Sequence, residues 1–437
     1  MSGLTIVKSL GFRIALVIGL VFATVLATTP AQAYMAIARS TYIVQVKDGS
    51  AATVRALISK LGETPHDELT EVMDGFILDL TINEVAALRA DPNVIQVVAD
   101  QPISMLDSQS PTPSWGLDRI DQTNTTYDNA YNYPASAGAG VRVYVVDTGV
   151  NASDPDFAGR METGFDAYGQ NLQGADCQGH GTHVAGTVAG TRYGVAKKAT
   201  IVPIRVLGCT GSGSFSLFIT AMDWIIANHP AGTPGVMNAS LGGGKYQLAN
   251  DAVQKLFAAG ITPVLAAGNE NTDACSRTPA STPNAITVGA STNTDSRASF
   301  SNFGDCVDVF APGVGIMSNN YVDTATGRSL SGTSMAAPHV AGLAALYLAD
   351  NKTATVPQVT AAIQAGAQAG QILDAKSVNG NYLINTRFTN AALPPVGAPT
   401  GLAASAITAT GATISWTAPA GTQAANSYKV EYRESTA

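Results

Sequence analysis

Val141-Arg142-Val143-Tyr144-Val145-Val146-Asp147-Thr148-Gly149 decides how this chain folds. Its apolar residues run on without the alternation of a half-wetted strand, and a turn follows at once. Such runs belong to strands buried on both faces, the habit of parallel sheets covered by helices. The same signature recurs at Ile201-Val202-Pro203-Ile204-Arg205-Val206, Val236-Met237-Asn238-Ala239 and Ile261-Thr262-Pro263-Val264-Leu265-Ala266, with helical stretches between. An α/β fold with a mostly parallel central sheet is therefore expected. In open parallel sheets the working groups gather beyond the carboxyl ends of the strands. Asp147 directly follows one such run and Asn269 soon follows another, which puts two polar groups at one edge.

Outward from this block the composition changes three times, as a chain of 437 residues requires, being too long for one ordinary core. Lys8 and Arg13 precede an apolar run from Ile14 to Leu26, and Ala31-Gln32-Ala33 offers the small residues of a cleavage site. Residues 1–33 read as a secretory signal, since a span needs ~20 apolar residues; an uncleaved anchor is the competing reading. After signal removal a secreted chain with no membrane attachment is expected. From Thr41 to about Ser104 the pattern is strand, helix, strand, helix, strand, with Thr81 as an N-cap for the second helix. Ser108-Gln109-Ser110-Pro111-Thr112-Pro113-Ser114 shows no periodicity and reads as a linker and processing site. Beyond Thr389, Leu393-Pro394-Pro395 reads as a linker over 389–398. Alternating runs at 401–404, 412–416 and 428–432 follow, and with Pro399 and Trp416 they resemble the opening of a fibronectin type III sandwich. Residues 399–437 are too few for that whole domain, which takes about 90 to 100.

The formal charge of −8, with only 13% charged residues, argues against a nucleic-acid partner, because neutralising phosphates takes clustered Lys and Arg. Cys177, Cys209, Cys275 and Cys306 all lie between Asp147 and Ser334. Export would let them persist as crosslinks, but four cysteines allow three pairings and spacing does not choose. Zinc is the competing use, and the spacings suit it poorly.

Ser334 sits in Gly332-Thr333-Ser334-Met335-Ala336-Ala337-Pro338-His339, and His180 in Gly179-His180-Gly181-Thr182-His183. With Asp147 they supply acid, base and nucleophile in the order Asp, His, Ser. A serine hydroxyl needs a base, a base needs its tautomer fixed, and the developing oxyanion needs donors. Asn269, in Ala266-Ala267-Gly268-Asn269-Glu270, offers a side-chain amide, and the backbone N–H of Ser334 a second donor. His183 and His339 read as structural, Asn238 as a partner for backbone groups, and Met335 as a packed thioether open to oxidants. Glu270 and Asp295 are nearby in sequence without defining an acidic floor.

These blocks resemble the three signature segments of the subtilisin family over about residues 115–388, within the proteinase K branch. Trp115-Gly116-Leu117-Asp118-Arg119-Ile120-Asp121-Gln122 is most similar to aqualysin-like secreted bacterial enzymes. The resemblance implies a three-layer subtilisin-like catalytic domain at 107–388, preceded at 34–106 by a propeptide that inhibits the enzyme and templates its folding. Self-cleavage is then expected near Leu106, ahead of Asp107. It implies the pairs Cys177 with Cys209 and Cys275 with Cys306. Structural calcium is implied at Pro283, Ala285 and Asp308, and again at Asp118, Asp121, Gln122 and Asp128. Ala130 departs from the second pattern, and solvated loop carboxylates are the alternative. Ser240, Leu241 and Gly242 with Ala266, Ala267 and Gly268 match the segments that flank a substrate strand. The expected activity is a monomeric serine endopeptidase acting on polypeptides, with broad apolar or aromatic preference before the cut bond. A catalytically silent binding protein of the same shape and an esterase are the alternatives. The intact triad speaks against the first, and the missing Gly-x-Ser-x-Gly elbow against the second.

Overall fold

The computed structural model describes residues 4–5, 39–70, 73–100, 106–170, 172–377, 380–387, 400–408 and 411–417. Apart from residues 4–5 the signal segment lies outside them, as do the 389–398 linker and the strand expected at 428–432. The chain divides into two compact units, Met1–Gln101 with Pro394–Ala437, and Pro102–Leu393.

In the first unit an antiparallel sheet runs in the order Asp67–Leu69, Gly75–Leu80, Ser40–Val46, Val94–Ala99. The helices Ala51–Lys60 and Ile82–Arg89 bury Val54, Ile58, Val85 and Leu88 against Val44, Val46, Phe76 and Leu78. Thr81 closes a capping box: its own N–H donates to Glu84 Oε2 at 2.7 Å, and Thr81 Oγ1 accepts from the Glu84 N–H. The strands Thr400–Thr408 and Gly411–Thr417 pair antiparallel.

The second unit is built on nine strands in the order Gln368–Ala369, Tyr382–Leu383, Val309–Pro312, Ile286–Ser291, Ile261–Ala266, Gly235–Ala239, Arg142–Asp147, Thr200–Arg205, Phe165–Asp166. Every neighbouring pair is parallel except the first, so the sheet is mostly parallel. Successive side chains of a strand point to opposite faces. Val143 and Val145 enter one core with the helices His180–Ala189 and Thr333–Asp350. Tyr144 and Val146 enter another with Phe215–Asn228 and Gln247–Ala258. That two-sided burial is why the strand shows no polar alternation. The helix Thr333–Asp350 buries nearly every residue from Met335 to Ala349, as an all-round apolar helix must.

The segment read as a linker is a correction. Leu106–Gln109 is a strand paired with Tyr131–Pro134, and Thr112 N–H donates to Asn129 O at 3.1 Å. Prolines at 111 and 113 mask the periodicity, while the polar residues of 107–109 suit an edge strand. Among the described residues no helix is long and apolar enough to cross a membrane.

Candidate active site

Asp147 ends its strand and is fully buried. Its carboxylate faces His180, the first residue of its helix, with Oδ1 2.8 Å and Oδ2 2.9 Å from Nδ1. Two glycines permit this approach. A Cβ on Gly181 would lie 2.1 Å from Gly149 O, and one on Gly149, at φ +101°, would lie 2.5 Å from Ala175 O. Burial pushes the His180 imidazole toward neutrality, but the charge of Asp147, its hydrogen bond and the charge of Asp176 outweigh this and raise its pKa above 6.5.

Asp176 is the functional residue that sequence reasoning missed. Its Oδ1 accepts from Thr148 Oγ1 and the N–H groups of Gln178 and Gly179, each at 2.9 Å. Its Oδ2 accepts from Thr182 N–H at 3.0 Å and Thr182 Oγ1 at 2.5 Å. A carboxylate there takes the Thr182 N–H of the first helical turn and the two N–H groups leading into it, and complements the helix dipole. Its position four residues before a helix start was the available signal.

Ser334 occupies the first turn of its helix, and its Oγ donates to Ser240 O at 3.2 Å rather than to His180. Catalytic hydrogen bonds often tighten only once substrate is bound. Pro338 explains what Ser240 does in return. A residue four places on would ordinarily donate its N–H to Ser334 O, and proline has none. Ser240 Oγ supplies that bond instead at 3.0 Å, and Asn238 Nδ2 donates to Ser240 Oγ at 2.9 Å. Asn238 thus holds a side chain, not the backbone groups expected of it.

Asn269 is oriented by its neighbours. Its Oδ1 accepts from Thr333 N–H at 2.8 Å and Thr333 Oγ1 at 2.9 Å, while Thr333 Oγ1 accepts from Gly268 N–H at 3.1 Å. With the carbonyl end committed, Nδ2 is left as a free donor. Leu241, Gly242, Ala266, Ala267, Gly268, Asn269 and Ser334 share one cavity of about 130 Å³. A larger groove of about 610 Å³ meets it along Leu241–Gly243 and runs past Leu207, Phe215 and Phe218 to His180.

The match to the family model described as "Subtilase family" spans residues 138–388. The chain belongs to the subtilase family. It is 48% identical over 319 residues, 73% of this chain and 77% of the relative, to an "Extracellular serine proteinase" of Thermus sp. (strain Rt41A). An "Alkaline serine exoprotease A" of Vibrio alginolyticus is 47% identical over 70% of this chain and 58% of its own length. A solved "cold adapted subtilisin-like serine proteinase" is 46% identical with a TM-score of 0.61, over 63% of this chain and 99% of that one. As a subtilase the chain is a serine endopeptidase.

In this subtilase Glu270 borders the 130 Å³ cavity, but Oε2 accepts from Asn302 Nδ2 at 2.8 Å and lies 3.5 Å from Arg277 Nε. Its charge is matched on the spot. Asp295 belongs elsewhere, paired with the buried Arg119 at 2.8 Å. Met335, expected within reach of oxidants, is only 1% exposed, because its side chain joins the core beneath the helix. His183 and His339 are buried and pushed down to about 4 by that burial. His183 Nε2 lies 3.0 Å from Arg328 O, and His339 Nδ1 2.8 Å from Met335 O. Cys177 pairs with Cys209, and Cys275 with Cys306.

The two groups of calcium candidates differ. Asn284, at φ +63°, turns the chain between Pro283 and Ala285, and Thr287 N–H donates to Asp308 Oδ2 at 2.8 Å. Burial pushes the Asp308 carboxyl up to about 7, as happens where a carboxylate lacks a countercharge. At the other group, burial and the charges of Asp128 and Asp118 push Asp121 up to about 6, and its Oδ1 has no hydrogen-bond partner. Gln122, however, turns its amide nitrogen to Asp118 Oδ1 at 2.5 Å. Among the described residues no three His, Cys, Asp or Glu side chains form a ready metal cluster.

Proposed function

We propose that this subtilase is secreted and self-processing, and that it cleaves polypeptides with Asp147, His180 and Ser334 as its triad. The observation that carries the reading is the pairing of both Asp147 oxygens with His180 Nδ1, which leaves Nε2 as the base. Ser334 Oγ attacks the scissile carbonyl carbon and passes its proton to Nε2. The imidazolium then protonates the leaving nitrogen as the C–N bond breaks, leaving an ester on Ser334. Water attacks that ester by the same route, its proton goes through His180 to Ser334 Oγ, and the acid product departs. The Asp147 carboxylate holds the ring in place and stabilises the imidazolium. Asn269 Nδ2 and the Ser334 N–H take the oxyanion. Asn269→Ala is expected to lower kcat about 10²- to 10³-fold with KM little changed, the loss known for such a donor in a subtilisin. Peptide nitroanilide kinetics measure this, and an unchanged kcat removes Asn269 from the mechanism.

The small residues Ser240, Gly242, Ala266, Ala267 and Gly268 let a peptide pair with the main chain, so many sequences bind. The matched charge of Glu270 favours apolar and aromatic side chains in the adjoining cavity. Profiling a peptide library tests this, and strict cleavage after Lys or Arg defeats it. Residues 34–106 act as the inhibitory propeptide, removed near Leu106, and the processed enzyme works as a monomer outside the cell.

Calcium is assigned first to Asp308 with the carbonyls of Pro283 and Ala285. Oxygen ligands and a half-buried carboxylate fit a hard cation, which would clip this loop to the sheet. The Asp118, Asp121, Gln122 and Asp128 group fits once the Gln122 amide turns over. Chelation is expected to lower the melting temperature by about 10 °C, since saturation at 100 to 1,000 times Kd stabilises by about 3 to 4 kcal/mol. The calcium-free carboxyl of Asp308, raised above its unfolded value, should also cost stability progressively as pH rises from 3.8 to about 7. A melting curve indifferent to chelator overturns both assignments.

A further inference from the structure

The two cavities leave part of the His180 loop uncovered. One holds Ser334 and Asn269, the other reaches His180, and they join along Leu241–Gly243. With the acyl half of a substrate laid along them, as the triad reading has it, the leaving half would cross ground that neither includes. Gly179 lies outside both, with Tyr321 and Arg328 beside it. The Tyr321 Cβ lies 3.0 Å, and Arg328 Nη1 3.8 Å, from where a Cβ on Gly179 would sit, one residue before His180.

Arg328 is exposed, and its guanidinium makes no hydrogen bond or ion pair among the described residues. Its backbone is nonetheless fixed. It pairs with Ser318 in the hairpin of Ile316–Asn319 with Gly327–Leu330, and its carbonyl is 3.0 Å from His183 Nε2. Asp323, the acid of the same loop, is turned on its own backbone and Thr326. The Arg328 charge is close enough to oppose protonation of His180. An exposed guanidinium on a fixed backbone, without a partner among the described residues, can donate a charge-assisted hydrogen bond to an anionic ligand.

We propose that Arg328 selects a carboxylate in the first few residues of the leaving peptide, a proposal that rests on the triad reading above. The sign is diagnostic, because the chain stays net acidic without residues 1–106 and would by its general field favour cationic peptides.

The test uses the purified active protein and peptides identical on the acyl side, with Ala, Asp or Lys at each of the first three leaving positions and an amidated end. At one position the wild type is expected to prefer Asp over Lys by about five- to tenfold in kcat/KM at low salt, less at high salt. Arg328→Gln should bring the ratio within about twofold, and Arg328→Glu should reverse it. Ratios are taken within each enzyme, so a less active variant still reports; if Arg328→Glu does not fold, Arg328→Gln and the salt dependence decide. A parallel series with free C-terminal acids tells a side-chain carboxylate from a chain end as the group recognised. A wild-type ratio near one, or a preference that survives loss of Arg328, overturns the proposal. A wild type that cleaves none of these peptides overturns the triad reading instead.

Discussion

Ser334→Ala is expected to lose on the order of 10⁶-fold in kcat on casein or peptide nitroanilides, the loss seen when a subtilisin loses its nucleophile. The residual rate would come from Asn269 and substrate positioning, which still stabilise attack by water. The variant should stay folded. Among the described residues its only lost bond is the 3.2 Å contact from Ser334 Oγ to Ser240 O, while the bond from Ser240 Oγ to the Ser334 carbonyl survives. A melting temperature close to the wild type would therefore separate lost chemistry from lost structure. The same variant should accumulate as an uncut chain, because the scission near Leu106 is expected to use this serine. Retention of more than about one per cent of activity, or cleavage at that junction without added protease, would contradict the assignment.

Some of this was readable because burial leaves a mark on composition. The strands Arg142–Asp147 and Ile261–Ala266 are apolar on both faces since a helix layer covers each, and their ends carry Asp147 and lead to Asn269. Other elements leave no mark. Phe165–Asp166 and Gln368–Ala369 are two residues each, too short for any period to show. Leu106–Gln109 hid behind the prolines that follow it. Relations across long separations were also out of reach. Nothing in the string says that Ser240 replaces the hydrogen bond that Pro338 cannot give, because the partners lie 94 positions apart. Asp176 looks like one more turn residue until folding brings Thr148, Gln178, Gly179 and Thr182 to its two oxygens. Met335 adjoins Ser334 in the chain, but its exposure is set by the side of the helix on which it falls.

Asp147→Asn carries the second large effect, about 10⁴-fold in kcat, and it should alter the pH profile as well as the rate. An amide can present its NH₂ to Nδ1, which would then need to be unprotonated, and the proton would shift to Nε2 where the base is required. The wild-type imidazole titrates above 6.5 because the Asp147 charge and hydrogen bond overcome the effect of burial. Activity needs the neutral ring, so the wild-type rate should fall with acid through a midpoint above 6.5. In the variant both favourable contributions are gone, and burial and the Arg328 charge act together with only Asp176 left to oppose them. The acid limb of kcat/KM should accordingly move to lower pH, although the plateau is far lower. That pairing of effects discriminates, since mere loosening of the loop would expose the ring and return it toward its ordinary value. If the limb stays put while the rate drops, Asp147 acts on the His180 position alone and the electrostatic role assigned to it is wrong.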